Sequence, residues 1–207
     1  GGMSAFIPTS NADKNNEIFE TIKKDKLLEI QRGCDGAWVA HPGLIENIKT
    51  VFNDNLSRNN QINEKILNKD KTESDFVNIH SKDFSLRSLK NNIFISLQYI
   101  SAWLSGNGAV ALNNLMEDLA TAEISIHQIK QWLHTGILDL DKELFEDLLN
   151  KEYQKMLESN EVEYAQKYFY CAKKILKEYV YNDKYHFLPD VASKYLDNEF
   201  KNITFDD

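Results

Sequence analysis

The sequence predicts two differently built regions: a strand-and-helix alternation over about the first quarter of the chain, then an all-α domain, so that the whole is mostly α. Short strand candidates alternate with amphipathic segments as far as Phe52, which is how an α/β barrel or a parallel sheet reads. From Leu86 onward the apolar positions recur at helical spacing. Between these regions, Asn53 to Ser85 is rich in Asn, Asp, Lys and Ser with little periodicity, the mark of a connection.

Taken alone, Gly1-Gly2-Met3-Ser4 reads as a tag remnant ahead of a start methionine. Ala5-Phe6-Ile7-Pro8 suits the end of a buried strand entering a loop. Asn11 to Arg32 places Ile18, Ile22, Leu27 and Ile30 among many Lys and Glu, with Gly33 as the stop, so an amphipathic helix is expected. Ala37-Trp38-Val39-Ala40 is a short strand candidate broken by His41-Pro42-Gly43, because proline lacks an N–H and glycine permits positive φ. A helix from Leu44 to Phe52 follows.

Leu89, Ile93, Leu97, Ile100 and Leu104, at spacings of four, four, three and four, form a helical stripe over Leu86 to Leu104 that Gly106-Asn107-Gly108 ends. The capping-box form of Ser125-Ile126-His127-Gln128 predicts a helix starting there and running to His134, with Gly136 as its stop. Three further helices are expected over about Asp141 to Glu158, Val162 to Tyr181 and Val191 to Phe200.

Composition narrows the function classes. A net charge of -8 and pI near 5.2 argue against a domain built to neutralise nucleic-acid phosphates. The nearest basic run, Lys23, Lys24 and Lys26, is interrupted by Asp25 and reads as a solvated helix face. Cys34 and Cys171 stand far apart without metal-ligand spacing, which suits a reducing compartment and no structural zinc. With no apolar run of about 18 residues and no signal-peptide pattern, no membrane partner is expected and the cytoplasm is the default location.

The segment from Asn107 to Asp118 is expected to link two helices, and it sets the adjacent carboxylates Glu117 and Asp118 after an apolar stretch. Burial raises a carboxylate's basicity, and loops on rigid scaffolds are favoured sites for chemistry. The residues by themselves leave open that the pair is solvated or caps a helix. His41 could act as a base or ligand, although a lone histidine at a strand end is usually satisfied by structure. His127 and His134 lack a third ligand nearby, so no metal site is expected.

Three blocks resemble the malate synthase family, particularly its shorter A-type form. They are Gly1-Gly2-Met3-Ser4-Ala5-Phe6-Ile7-Pro8, then Asp35-Gly36-Ala37-Trp38-Val39-Ala40-His41-Pro42-Gly43-Leu44, and a third from Asn92-Ile93 through Ala102-Trp103-Leu104 and Leu115-Met116-Glu117-Asp118 to Gln131-Trp132. The resemblance implies a fragment holding the last two βα units of a TIM barrel over residues 1–55, a connection over 56–85 and a helical plug domain over 86–207.

The resemblance also implies an acyltransferase of the glyoxylate cycle. Asp118 would be the general base that takes a methyl proton from acetyl-CoA; the enolate would attack glyoxylate, and hydrolysis of the malyl thioester would release malate and CoA. Phe6 and Pro8 would border the CoA channel. The family's Mg2+ ligands and the arginine facing the substrates would lie in the N-terminal barrel region, so this chain by itself is expected to hold no metal ligands and to be inactive until that region is supplied. Ala37, Leu119 and Ala109 depart from the family pattern, and a leucine beside Asp118 would alter how tightly the site closes. A related malyl-thioester lyase or thioesterase, and a non-catalytic helical interaction module, are the alternatives.

Overall fold

A computed structural model of the chain describes residues 1–64, 71–77, 84–159 and 166–197. The chain divides into two compact units, Gly1–His80 with Ala111–Met116, and Ser81–Val110 with Glu117–Asp207.

In the first unit, β1 (Met3–Ser4) and β2 (Trp38–Val39) pair in parallel, Met3 opposite Trp38 and Ser4 opposite Val39. Gly1 N donating to the Gly36 carbonyl (2.6 Å) and Ala40 N donating to Ser4 (2.9 Å) extend the ladder. Parallel strands need a long crossover, and α1 (Ala12–Gln31) provides it. This helix starts where the Asn11 side chain accepts from Lys14 N at 3.1 Å, and it stops before Gly33, whose φ of 90° favours a residue without Cβ. A tight turn at Pro42–Leu44 leads into α2 (Ile45–Asn55).

Ile18, Ile22 and Ile30 of α1 meet Leu44, Ile48, Val51 and Phe52 in a core that Phe6 and Val39 border. Adjacent residues of a strand face opposite ways, so Val39 packs on this core while Trp38 remains 62% exposed. The fourth buried position of α1 is Lys26, which corrects the reading of the basic run as a solvated face for that residue, while Lys23 and Lys24 are exposed as expected. The Lys26 ammonium is enclosed because Gly2 O (3.0 Å), Glu29 Oε1 (2.8 Å) and Asp25 Oδ2 (3.1 Å) receive it.

Part of the expected connection is ordered. Gln61 Nε2 donates to the Ile30 and Cys34 carbonyls, both at 3.0 Å, and α3 (Glu73–Val77) starts where Asp75 accepts from Thr72 N. Residues 65–70 and 78–83 of that connection lie outside the described residues.

The second unit is built on α4 (Leu86–Leu104), which packs against α5 (Leu119–Thr135), α6 (Lys142–Glu158) and α7 (Gln166–Tyr181). Leu89, Ile93, Leu97, Ile100 and Leu104 are all buried, as their spacing predicts, together with Ile126, Ile129, Phe145 and Phe169. Each such side chain contributes roughly 1.5–3 kcal/mol by leaving water. Ser85 and Asp141 cap α4 and α6 by accepting from Ser88 N (3.0 Å) and Leu144 N (2.8 Å). Gly136, at φ 61°, ends α5.

Two short helices, α8 (Leu188–Ala192) and α9 (Lys194–Asp197), stand where one was expected. Residues 162–165 and 198–200 of the predicted helices lie outside the described residues.

The chain from Leu86 is not wholly helical. Ala109–Leu112 (β3) and Leu115–Asp118 (β4) form a two-stranded hairpin where a plain link between helices was expected. The start predicted at Ser125 is also corrected: α5 begins at Leu119, and Ser125 is buried within it. A capping box works only where backbone N–H groups are free, and here they are free after Asp118.

Candidate active site

The hairpin is closed by Asn113 and Asn114, both left-handed with φ of 51° and 61°, the geometry of a type I′ turn. Asparagine tolerates this conformation better than other side-chain-bearing residues. Before the hairpin, the Tyr99 hydroxyl on α4 donates to the Gly108 carbonyl at 3.1 Å and fixes the entry to β3. The turn and flanking residues Ala111–Met116 belong to the first unit. There, Phe6 bridges Leu115 in antiparallel fashion, Ile7 N donates to Asn114 O and Met116 N donates to Ala5 O, both at 2.9 Å.

β4 runs into the N-terminus of α5 through Glu117, which is buried, and Asp118, which is exposed. Asp118 is the N-cap of α5, and its Oδ1 accepts from Thr121 N at 3.2 Å. One carboxylate oxygen is thereby held at a helix end, where the aligned peptide dipoles favour a negative group. Of the readings that the sequence leaves open, solvated or capping a helix, Asp118 meets both: it is exposed and it caps α5.

Phe6 and Pro8 are half-buried just beyond the C-terminal end of β1. Pro8 Cγ would lie 3.6 Å from a Cβ built on Gly43, so the turn after β2 packs close to this loop. In that turn His41 Nδ1 accepts from Gly43 N at 3.0 Å, so this ring nitrogen is satisfied by structure. His134 is exposed in the last turn of α5. Among the described residues no group of three or more His, Cys, Asp or Glu could hold a metal ion.

Sequence reasoning passed over a polar group behind Asp118. Glu123 accepts from the Tyr179 hydroxyl at 2.8 Å and from Leu188 N at 2.5 Å, and His127 Nε2 lies 3.2 Å from the same hydroxyl. Glu123 and His127 are four apart on a helix, which is a visible signal; Tyr179 and Leu188 come from distant sequence and give none. Burial, followed by the charges of Asp118 and Glu123, pushes the Tyr99 hydroxyl's pKa up. Tyr179 is raised much further, by burial and then by its bond to Glu123.

A family model described as the malate synthase C-terminal domain matches residues 84–194, and one described as the malate synthase TIM barrel domain matches residues 1–79. The chain belongs to the malate synthase family. Malate synthase from Myxococcus xanthus is 40% identical over 162 residues, covering 75% of this chain and 30% of the relative. Malate synthase A from Escherichia coli is 37% identical over 193 residues, covering 89% and 36%. The glyoxysomal malate synthase of Glycine max is 40% identical over 169 residues, covering 75% and 30%. The chain therefore spans about a third of the length of these malate synthases.

Proposed function

We propose that the chain acts as the C-terminal part of a malate synthase, with Asp118 as the general base. The observation that carries this reading is the placement of Asp118 at the junction of β4 and α5, one oxygen held by Thr121 N, inside the segment that matches the malate synthase C-terminal domain. In the proposed reaction the Asp118 carboxylate takes a proton from the acetyl-CoA methyl group. The resulting enolate carbon forms a bond to the aldehyde carbon of glyoxylate, and the alkoxide is protonated. Water then cleaves the malyl thioester, releasing malate and CoA.

A positioned base contributes about 10²- to 10⁴-fold, so the enolate and the aldehyde need further stabilising groups. Among the described residues no group of three or more His, Cys, Asp or Glu could hold magnesium, and on this reading its ligands belong to the upstream region. On this reading residues 1–55 are the end of the barrel, 56–85 the connection and 86–207 the helical domain, and activity requires the upstream region. Phe6 and Pro8 border the CoA channel; their position after the C-terminal end of a parallel strand, where barrel enzymes keep their chemistry, supports this. The chain's acidic balance and the lack, among described residues, of a helix long and apolar enough to cross a membrane accord with a cytoplasmic enzyme acting on small molecules.

The test is thiol release from acetyl-CoA with glyoxylate and magnesium, comparing this chain with a version extended through the upstream region, each with its Asp118→Asn partner. Activity confined to the extended, aspartate-bearing protein is the expected result. Activity of the chain alone would overturn the requirement for the upstream region, and an active Asp118→Asn variant would remove Asp118 as the base.

A further inference from the structure

Where Asp118 points depends on where the first turns of α5 are held. On one side Ala122, Ile126 and Ile129 are fully buried in the helical core. On the other, the ties are polar: Lys130 further along α5 reaches Asn182 O, His127 lies 3.2 Å from the Tyr179 hydroxyl, and nearest to Asp118 stands Glu123. Glu123 is only 16% exposed, and its two oxygens reach two different helices: Oε2 takes the Tyr179 hydroxyl of α7, and Oε1 takes Leu188 N, the first N–H of α8. Phe187, the N-cap of α8, makes no side-chain cap bond, so Glu123 supplies the acceptor that α8 lacks. Tyr179 is itself fully buried, so its ring cannot move without repacking the core.

We propose that Glu123 is a positioning residue for Asp118: by binding Tyr179 and Leu188 N together it locks the start of α5, and with it the N-cap aspartate, against α7 and α8. The proposal rests on the reading of Asp118 as the base. It concerns geometry rather than the charge of Glu123, and the hydrogen-bond chemistry separates the two. A glutamine can keep its carbonyl oxygen on Leu188 N and donate its amide to the Tyr179 oxygen, whose own proton turns to His127 Nε2, already 3.2 Å away. Alanine removes both bonds.

The test uses the protein extended through its upstream region, carrying Glu123→Ala, Glu123→Gln, Tyr179→Phe or Asp118→Asn. Displacing a catalytic group by about 1 Å costs on the order of 10²-fold. Glu123→Ala is therefore expected to lower kcat by about tenfold to about 100-fold, with both KM values within about threefold of the parent. Its primary isotope effect with trideuterated acetyl-CoA should rise, because proton removal becomes slower relative to other steps. Glu123→Gln should stay within about threefold of the parent, and Tyr179→Phe, which loses the hydroxyl's contacts with Glu123 and His127 but keeps the ring and the bond from Leu188 N to Glu123, should fall between the two.

A folded Glu123→Ala enzyme with parental kcat overturns the proposal. So does a loss with unchanged isotope effect, which signals fewer folded molecules, or a glutamine variant as impaired as alanine, which signals charge. If alanine prevents folding, Tyr179→Phe decides by the same readouts. An active Asp118→Asn enzyme removes the base, and this proposal falls with it; an inactive Asp118→Asn enzyme beside a normal Glu123→Ala enzyme sinks the positioning role alone.

Discussion

Lys26 and Glu29 together satisfy both backbone groups of Gly2, the lysine binding its carbonyl at 3.0 Å and the glutamate accepting its N–H at 2.8 Å. Glu29 Oε2 is left buried without a hydrogen bond, and a Cβ at Gly1 would overlap the Glu29 carboxylate. Such a pair is costly to break from the lysine side, since the Glu29 carboxylate left behind is only 16% exposed. Lys26→Met keeps the stem's volume but removes the cation, and it should lower stability by about 3–5 kcal/mol in urea denaturation. Lys24→Met, on the exposed face of the same helix, should leave the midpoint unchanged. At Asp118 the fold and the chemistry separate cleanly. Asparagine caps a helix as well as aspartate, so Asp118→Asn should melt at the parental temperature, whereas Asp118→Ala should lose about 1 kcal/mol as well as the base.

The hairpin carries the argument at the scale of elements. Its two-residue turn requires positive φ at Asn113 and Asn114, and glycine at the second position relieves the remaining strain. Asn114→Gly is expected to be neutral or to stabilise by a few tenths of a kcal/mol, roughly. Asn113→Val should destabilise by about 1–2 kcal/mol, because a β-branched side chain meets the carbonyl in the left-handed region. Thermal melts of the two variants check both. The sequence held a hint of this turn, two asparagines between Ala109-Val110-Ala111-Leu112 and Leu115-Met116, but four-residue strands carry too little periodicity to stand out beside a 19-residue helix.

At the scale of the whole molecule, four buried or half-buried tyrosines set a limit at alkaline pH. Tyr99, Tyr153, Tyr179 and Tyr181 all lie in the second unit, and burial is the leading cause that raises each. A raised folded-state value means that above about pH 10 the unfolded chain has already lost protons that the folded chain retains. Stability is then fully present below about pH 10 and falls as pH rises toward the folded-state values. Circular dichroism from about pH 9 to about pH 12 should show the helical signal lost together with the rise in tyrosinate absorbance, and Tyr179→Phe should move that loss to higher pH. A helical signal that persists after the tyrosines ionise would contradict the buried, hydrogen-bonded state of Tyr99 and Tyr179.

What the sequence determined by itself is local or cumulative. The stripe on α4, the stops at Gly33 and Gly136 and the breaks at Pro42 and Gly106 follow from spacing and backbone chemistry within a few residues. Family membership follows from three long blocks, and the prominence of Asp118 follows from them too. What only the tertiary structure decided depends on residues far apart in the chain. Lys26 looks solvated among its neighbours until Gly2, 24 residues away, closes on its ammonium. Glu123 looks like an ordinary helix-face carboxylate until Tyr179 and Leu188, 56 and 65 residues on, bring their donors to it. Helix periodicity reports which face is apolar, but a polar side chain's partner is set by packing between elements, and no local pattern encodes it.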